Sequence, residues 1–189
     1  SCFKPNPKIS IYESRHHQKR LKYKTLKLHE IKTIDEEFEN SKKIDLIKCD
    51  TQGSELDISK GAQKTLLKAC PIVAMETWCE DVYEELPLDF KIREFYNKIG
   101  YQLFASDTAA SWRYESDNLF PLSKQRLIGE NLLFVPSLEM FAKLDENDLL
   151  SKIPILCFFG FYDYSYQILK RYNLLNYLSY VKKLYSNVS

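Results

Sequence analysis

Hydrophobic and polar positions predict five strands along the first two thirds of the chain. Residues 24–31 alternate, with Leu26 and Leu28 on one side, which is typical of a half-buried strand. Two short apolar runs, residues 44–50 and 71–76, each end in a carboxylate and predict buried strands. Residues 101–105 and 131–135 predict the third and fourth strands of the main sheet.

Helical segments separate these strands. An acidic first turn after Thr33 predicts a helix start, and residues 54–69 and 88–99 carry apolar residues at helical spacing. We expect Gly61 to bend the first long helix and Gly100 to end the second. Alternating strands and helices predict an α/β domain with a parallel sheet. Residues 106–129 lack a helix signal, so we predict a long polar loop and leave open an antiparallel last strand.

The pattern after Pro136 is helical, over residues 138–150 and again over the Tyr- and Leu-rich stretch 164–185. We favour an apolar face that packs on the domain's own core. The alternative is self-association or a partner contact through residues 153–185. Lys182 and Lys183 alone are a thin basic face for a lipid surface.

Composition narrows the classes of function. The chain has 189 residues, is 44% hydrophobic and 28% charged, and has a formal net charge of +1, which suits one globular domain and gives no reason to expect nucleic acid. Five scattered cysteines form no C-x-x-C pair, so we predict no metal site and a reducing compartment. The longest apolar run is about half of the ~20 residues that a spanning helix needs, and no signal peptide opens the chain. The prediction is a soluble, cytoplasmic protein.

Candidate chemistry lies where the two apolar strands end, because open α/β sheets bind ligands at the carboxyl ends of their strands. We predict Asp50 and Glu55 as a catalytic carboxylate pair that accepts the proton of a substrate hydroxyl or binds a cationic donor. The alternative for Glu55 is stabilisation of the helix N-terminus by about 0.3–1 kcal/mol. Asp50 and Thr51 are the predicted cofactor contacts.

Three further residues are predicted to contact the substrate. Lys48 lies two positions before Asp50, so both share one face of the strand and can pair. Glu76 and Trp78, at the end of the next strand, are expected to line the acceptor pocket, with a contact at its rim and no chemistry as the open alternative.

An ordered set of motifs resembles a known family. The segment IDLIKCDTQGSEL (44–56), the Lys60-Gly61-Ala62 triplet and the Pro-led strand ending in Glu76 closely resemble the FkbM-type family of S-adenosylmethionine-dependent methyltransferases. The resemblance covers residues 24–136. Gln52 stands where the family often has Glu, and Ser59 where it commonly has Leu.

The resemblance implies a Rossmann-like class I methyltransferase fold, incomplete at the N-terminus. Residues 24–136 would form its C-terminal half, after an irregular entry segment (1–23) and before a helical extension (137–189). It also implies S-adenosylmethionine as cofactor and O-methylation of a sugar or other hydroxylated metabolite, with a small molecule or glycan as acceptor.

The glycines depart from that fold. The chain has five, the closest two are eight positions apart, and no G-x-G turn exists to let backbone approach a nucleotide. We therefore expect this chain alone to bind the methyl donor poorly. The alternative function is a non-catalytic methyltransferase-like remnant that acts in protein association. A nucleotide-dependent dehydrogenase is a distant third hypothesis, since it too would need the glycine loop.

Overall fold

The centre of the computed structural model, which describes residues 3–13, 31–39 and 43–187, is a mixed four-stranded sheet. Its order is β1-β2-β4-β3, where β1 pairs with β2 in parallel and β4 runs antiparallel to both of its neighbours. The parallel β1–β2 pair is confirmed, but the sheet as a whole is mixed and not parallel, because the last strand takes the antiparallel direction that the sequence left open. The strands are β1 (Leu46–Cys49), β2 (Ile72–Trp78), β3 (Tyr101–Trp112) and β4 (Arg126–Pro136).

Helices connect the strands and continue beyond the sheet. Gly61 separates two short helices after β1, and Gly100, at φ +93°, follows the helix before β3, so the predicted bend and stop are confirmed. Two 3-10 helices span Pro7–Ile11 and Leu175–Tyr177. The α-helices are α1 (Ile34–Glu37), α2 (Glu55–Lys60), α3 (Gln63–Ala69), α4 (Asp89–Lys98), α5 (Leu138–Phe141), α6 (Glu146–Phe158), α7 (Tyr162–Arg171) and α8 (Leu178–Ser186).

Two predictions about the strands are wrong. Strand β1 is not buried on both faces: it lies at one edge of the sheet, and Leu46 is 42% exposed. Residues 106–129 are not one long loop, because β3 and β4 extend into that stretch and pair as a hairpin. The outer part of β3 is largely exposed and has register shifts, so no regular alternation marks it. The strand predicted at 24–31 lies, apart from Ile31, outside the described residues.

One hydrophobic core joins the sheet to the C-terminal helices. Met75 of β2 and Phe134 of β4 belong to the same buried cluster as Leu156 of α6 and Leu169 of α7. The interpretation that residues after Pro136 pack on the domain's own core is therefore confirmed. None of the helices in residues 3–13, 31–39 and 43–187 is both long enough and apolar enough to cross a bilayer.

A second buried cluster holds the described part of the entry segment. Residues 3–13, expected to be irregular, contain the short 3-10 helix, and Ile9 and Tyr12 are buried there with Trp78 and Trp112. The rings of Tyr12 and Trp112 meet edge to face at 5.4 Å. This cluster packs the entry segment against the outer part of the β3–β4 hairpin and the loop after β2.

Candidate functional site

Two carboxylates meet at the carboxyl ends of the parallel strands. Cys49 pairs in register with Met75, so Asp50 and Glu76 occupy the next positions of neighbouring strands. The side-chain amide of Gln52 joins them: its Nε2 donates to Asp50 Oδ1 and to Glu76 Oε1, each at 3.0 Å. The structure thus brings together two of the predicted residues through a third that sequence reasoning did not select.

Gln52 is held on both sides. Its backbone is left-handed, at φ +60°, in the sharp turn after β1. The Tyr83 hydroxyl donates to Gln52 Oε1 at 3.2 Å, which directs Nε2 towards the carboxylates. In the sequence, one signal marked Gln52: it stands where the resembled family often has Glu. Tyr83 lies 31 residues further along the chain, and no local pattern marks it.

Lys48 extends this cluster on the same face. Its Nζ lies 4.0 Å from Asp50 Oδ2, so the pairing that the two-residue spacing suggested is present. Both side chains are about half exposed, and such a surface pair contributes about 0–1 kcal/mol to stability. The ion pair therefore orients charge at the site more than it stabilises the fold.

Glu55 points into the turn, away from the cluster. Its side chain is 1% exposed; Oε1 accepts from the Thr51 backbone N–H at 2.9 Å and from Thr51 Oγ1 at 3.0 Å. Oε2 accepts from the Gly53 N–H at 2.8 Å. The N–H groups that Glu55 accepts from lie before helix α2 and not in its first turn, and the contacts occupy the N–H and Oγ1 of Thr51, a predicted cofactor contact. The contacts brace residues 51–53, and with them Gln52.

Trp78 is not brought to the cluster. The side chain is 1% exposed within the second buried cluster, where Tyr83 covers it edge to face at 6.0 Å between ring centroids. Strand β2 continues past Glu76 to Trp78, and residues of the loop after β2 cover this end of the strand. Trp78 therefore shares a face with Glu76 but is buried. One of its contacts is with Tyr83, the residue that holds the Gln52 amide, and another is with Trp112.

Cys79, Asp89 and Glu130 form the one group among the described residues whose ligand atoms are close enough for a metal ion. The Arg93 guanidinium already lies between the carboxylates: Nε is 2.9 Å from Asp89 Oδ2, and the second arm contacts Glu130. Burial, with the two carboxylates, raises the pKa of the Cys79 thiol to about 12, which disfavours the thiolate that binds metals. The arrangement is that of an ion-pair cluster.

The Cys49 thiol, on the residue before Asp50, is likewise disfavoured as a thiolate. Burial, followed by the charge of Glu55, raises its pKa to about 11. A thiol with that pKa is a poor nucleophile at neutral pH. Among the described residues, the carboxyl ends of β1 and β2 therefore offer the chemistry of carboxylates, an amide, a lysine and the Tyr83 hydroxyl.

Comparison with known proteins agrees with the sequence resemblance. The methyltransferase FkbM domain matches residues 3–103, more than half of the chain. That stretch contains β1, β2 and the whole Asp50–Gln52–Glu76 cluster, and it ends within β3. No curated protein and no solved structure matches the chain. On the strength of the family match, the chain belongs to the FkbM family of methyltransferases.

Proposed function

We propose that this chain provides the acceptor side of an S-adenosylmethionine-dependent O-methyltransferase, acting on a sugar or another hydroxylated metabolite. The observation that carries the proposal is the amide-bridged pair of Asp50 and Glu76 at the ends of two parallel strands. Ligands of open α/β sheets bind at this edge. Carboxylates placed there can hydrogen-bond a hydroxyl group and take its proton.

The sheet supports a Rossmann-like class I architecture as part of the same proposal. Strand β1, helices α2 and α3, and strand β2 form a parallel β-α-β unit, which is the building block of doubly wound sheets. We assign residues 24–136 to the C-terminal half of such a domain, with the entry segment 1–23 before it and the helical extension 137–189 after it.

Each residue of the cluster has a distinct proposed role. Asp50 accepts a hydrogen bond from the acceptor hydroxyl and takes its proton as the oxygen–methyl bond forms and the methyl–sulfur bond breaks, while Glu76 lines the acceptor pocket beside it. Lys48 balances the charge of Asp50 from 4.0 Å. Gln52 and Glu55 are positioning residues, since the first fixes the two carboxylates and the second fixes the turn. Positioning of this kind supplies a large part of the barrier reduction in group transfer.

The residues fit one part of the methyl donor. When bound, S-adenosylmethionine supplies an electrophilic methyl group, and its sulfonium charge suits the edge that holds Asp50 and Glu76. Thr51 fits less well, because Glu55 occupies its N–H and Oγ1. Within residues 3–13, 31–39 and 43–187, no pair of closely spaced glycines offers a backbone cradle for the adenosyl group.

Transfer of a labelled methyl group from S-adenosylmethionine tests the proposal. The protein made from its complete coding sequence is assayed against a panel of hydroxylated acceptors. We expect Asp50→Asn to reduce transfer by about 100-fold or more, the range of general base catalysis. Asp57→Asn is the matched control, because Asp57 is exposed on α2 and pairs with Lys60 at 3.8 Å. Absence of transfer by the unaltered protein, or full transfer by Asp50→Asn, would contradict the proposal.

The second candidate function is a non-catalytic methyltransferase-like protein that acts in association. One observation favours it: Phe158, at the end of α6, is 83% exposed. With Pro154 and Tyr162 it lines a groove on the C-terminal helices, and contiguous exposed apolar surface is typical of contact sites. Sedimentation of the unaltered chain and of Phe158→Ser distinguishes the cases. A monomer in both samples would contradict association through this residue.

A further inference from the structure

A groove of about 420 Å³ opens on the sheet face that holds Lys48 and Glu76. Its floor is one row of residues in register across all four strands. Lys48 pairs with Ala74, Ala74 with Leu133, and Leu133 with Ala105. Two of these four side chains are methyl groups, one on each side of Leu133, so the floor is apolar from Ala74 to Ala105.

The next row of residues carries polar groups towards the carboxyl ends of β1 and β2. Glu76 pairs with Asn131, which pairs with Asp107 on β3. Asn131 and Asp107 line the groove, and Glu76 belongs to the cluster described above. The groove is therefore continuous with the proposed acceptor site.

Aromatic side chains close the opposite side. Phe159 and Phe161, which follow helix α6, line the groove together with Leu46. The ring of Phe161 is fixed edge to face against Phe104 of β3, with 5.1 Å between the centroids. The C-terminal helices thus provide a wall of the groove as well as part of the core.

We propose that the groove binds the flat apolar part of the methyl acceptor, so that the substrate is a hydroxylated aromatic compound. The inference rests on the proposed function and narrows its substrate class. The volume lies within the range of about 300–1,000 Å³ that is usual for small-molecule sites, which are mostly apolar with a few placed polar groups. The hydroxyl groups of a sugar placed on the Ala74–Leu133–Ala105 part of the floor would lose hydrogen bonds to water without replacement, since that part offers only apolar side chains.

The spacing along β2 fits such a ligand. Ala74 and Glu76 are two residues apart on one face of the strand, which corresponds to about 6.6 Å. A two-ring phenol with its far ring over Ala74 therefore places its hydroxyl group beside Glu76. Phe161 lines the same groove and can meet a bound aromatic ring edge to face, an arrangement that aromatic pairs prefer.

Binding of 2-naphthol to the whole chain tests this subsite. In protein carrying ¹³C-methyl alanine, we expect 2-naphthol to shift the signals of Ala74 and Ala105 but not that of the exposed Ala142. Methyl glucoside is the non-aromatic comparison. Ala105→Trp fills the groove and is expected to weaken 2-naphthol binding by about tenfold or more. Ala142→Trp, on α5's C-terminal side, is the matched control and should bind as the unaltered chain does.

The outcomes separate this inference from the proposed function. Methyl transfer to glycosides with no shift at Ala74 and Ala105 in the presence of 2-naphthol retains the function and overturns the groove assignment. Binding of 2-naphthol in the groove without methyl transfer to any hydroxylated compound overturns the proposed function, and the acceptor role with it. Alanine shifts that depend on protein concentration alone identify a second copy in the groove and also overturn the inference. The shift measurement on the unaltered chain decides the question even if Ala105→Trp does not fold.

Discussion

A buried ammonium ties helix α6 to the start of β1, and its loss should cost less stability than the loss of its partner. Lys152 is 1% exposed; its Nζ lies 2.6 Å from Asp45 Oδ1 and 3.1 Å from the Ile44 carbonyl oxygen. Asp45 is 28% exposed and also accepts from Ser151 Oγ at 2.6 Å. The buried charge of Lys152 therefore depends on Asp45, whereas Asp45 keeps its contacts with water and Ser151 if the lysine is removed.

The free energies of unfolding follow from this asymmetry. Asp45→Ala leaves a buried ammonium with one backbone acceptor, and removing one partner of a buried pair costs about 3–5 kcal/mol. Lys152→Met keeps an apolar chain of similar length and leaves a carboxylate that reaches water and retains Ser151, at a cost of about 1–2 kcal/mol. The double variant should be more stable than Asp45→Ala alone, because it has no buried charge.

Urea unfolding followed by circular dichroism at neutral pH measures all four proteins. A common slope against urea would show that the differences lie in stability and not in the denatured state. The reasoning is refuted if Lys152→Met costs as much as Asp45→Ala, or if the two costs simply add in the double variant.

The same pair predicts a dependence on pH. Burial acts to raise the pKa of Asp45, but the hydrogen bonds from Lys152 and Ser151 and the lysine charge outweigh it, so the folded pKa is lowered. A lowered carboxyl pKa contributes stability above the unfolded value, about 3.9, and this is lost as pH falls through the folded value. The gap in stability between the unaltered protein and Asp45→Ala should therefore narrow below about pH 4.

Three further substitutions test the turns around the site by urea unfolding. Asp35→Ala removes the carboxylate that accepts from the second and third N–H groups of α3, at 2.9 and 2.8 Å, and should cost about 1 kcal/mol. Gly53→Ala should cost about 1–3 kcal/mol, because φ is +129° and a Cβ would lie 2.7 Å from an aromatic ring. Glu55→Gln replaces an acceptor of backbone N–H groups by an amide that cannot accept at both positions, at a cost of about 1–3 kcal/mol.

Each of these substitutions has a control in the same chain. Asp57→Ala removes an exposed carboxylate with no capping role and should leave stability unchanged, so an equal loss would contradict the Asp35 argument. Gly160→Ala tests backbone strain alone, since φ is +86° and no atom lies within 4 Å of the added carbon. If Gly160→Ala costs as much stability as Gly53→Ala, then the clash of the added carbon contributes nothing at Gly53. Glu84→Gln is the control for Glu55→Gln: Glu84 is exposed, so its substitution should leave the free energy of unfolding unchanged.

Local signals in the sequence determined much of the central architecture. The apolar run before Glu76 is a strand, the helix before Gly100 ends there, and Gly61 divides the segment after β1, as their residue types required. The order of strand, helix and strand predicted a parallel pair, and this placed Asp50 and Glu76 at one edge. These features depend on residues a few positions apart, where backbone preferences act directly.

Only the tertiary structure decided which residues complete the site and the core. Gln52 meets Glu76 across 24 positions and Tyr83 across 31, and Lys152 reaches Asp45 across 107. Most of the outer part of β3 is exposed, so pairing with β4 forms it without a hydrophobic period. Trp78 lies two positions after the partly exposed Glu76, yet segments distant in sequence bury it. Burial and hydrogen bonding between distant residues depend on how the whole chain packs, and no local pattern encodes that packing.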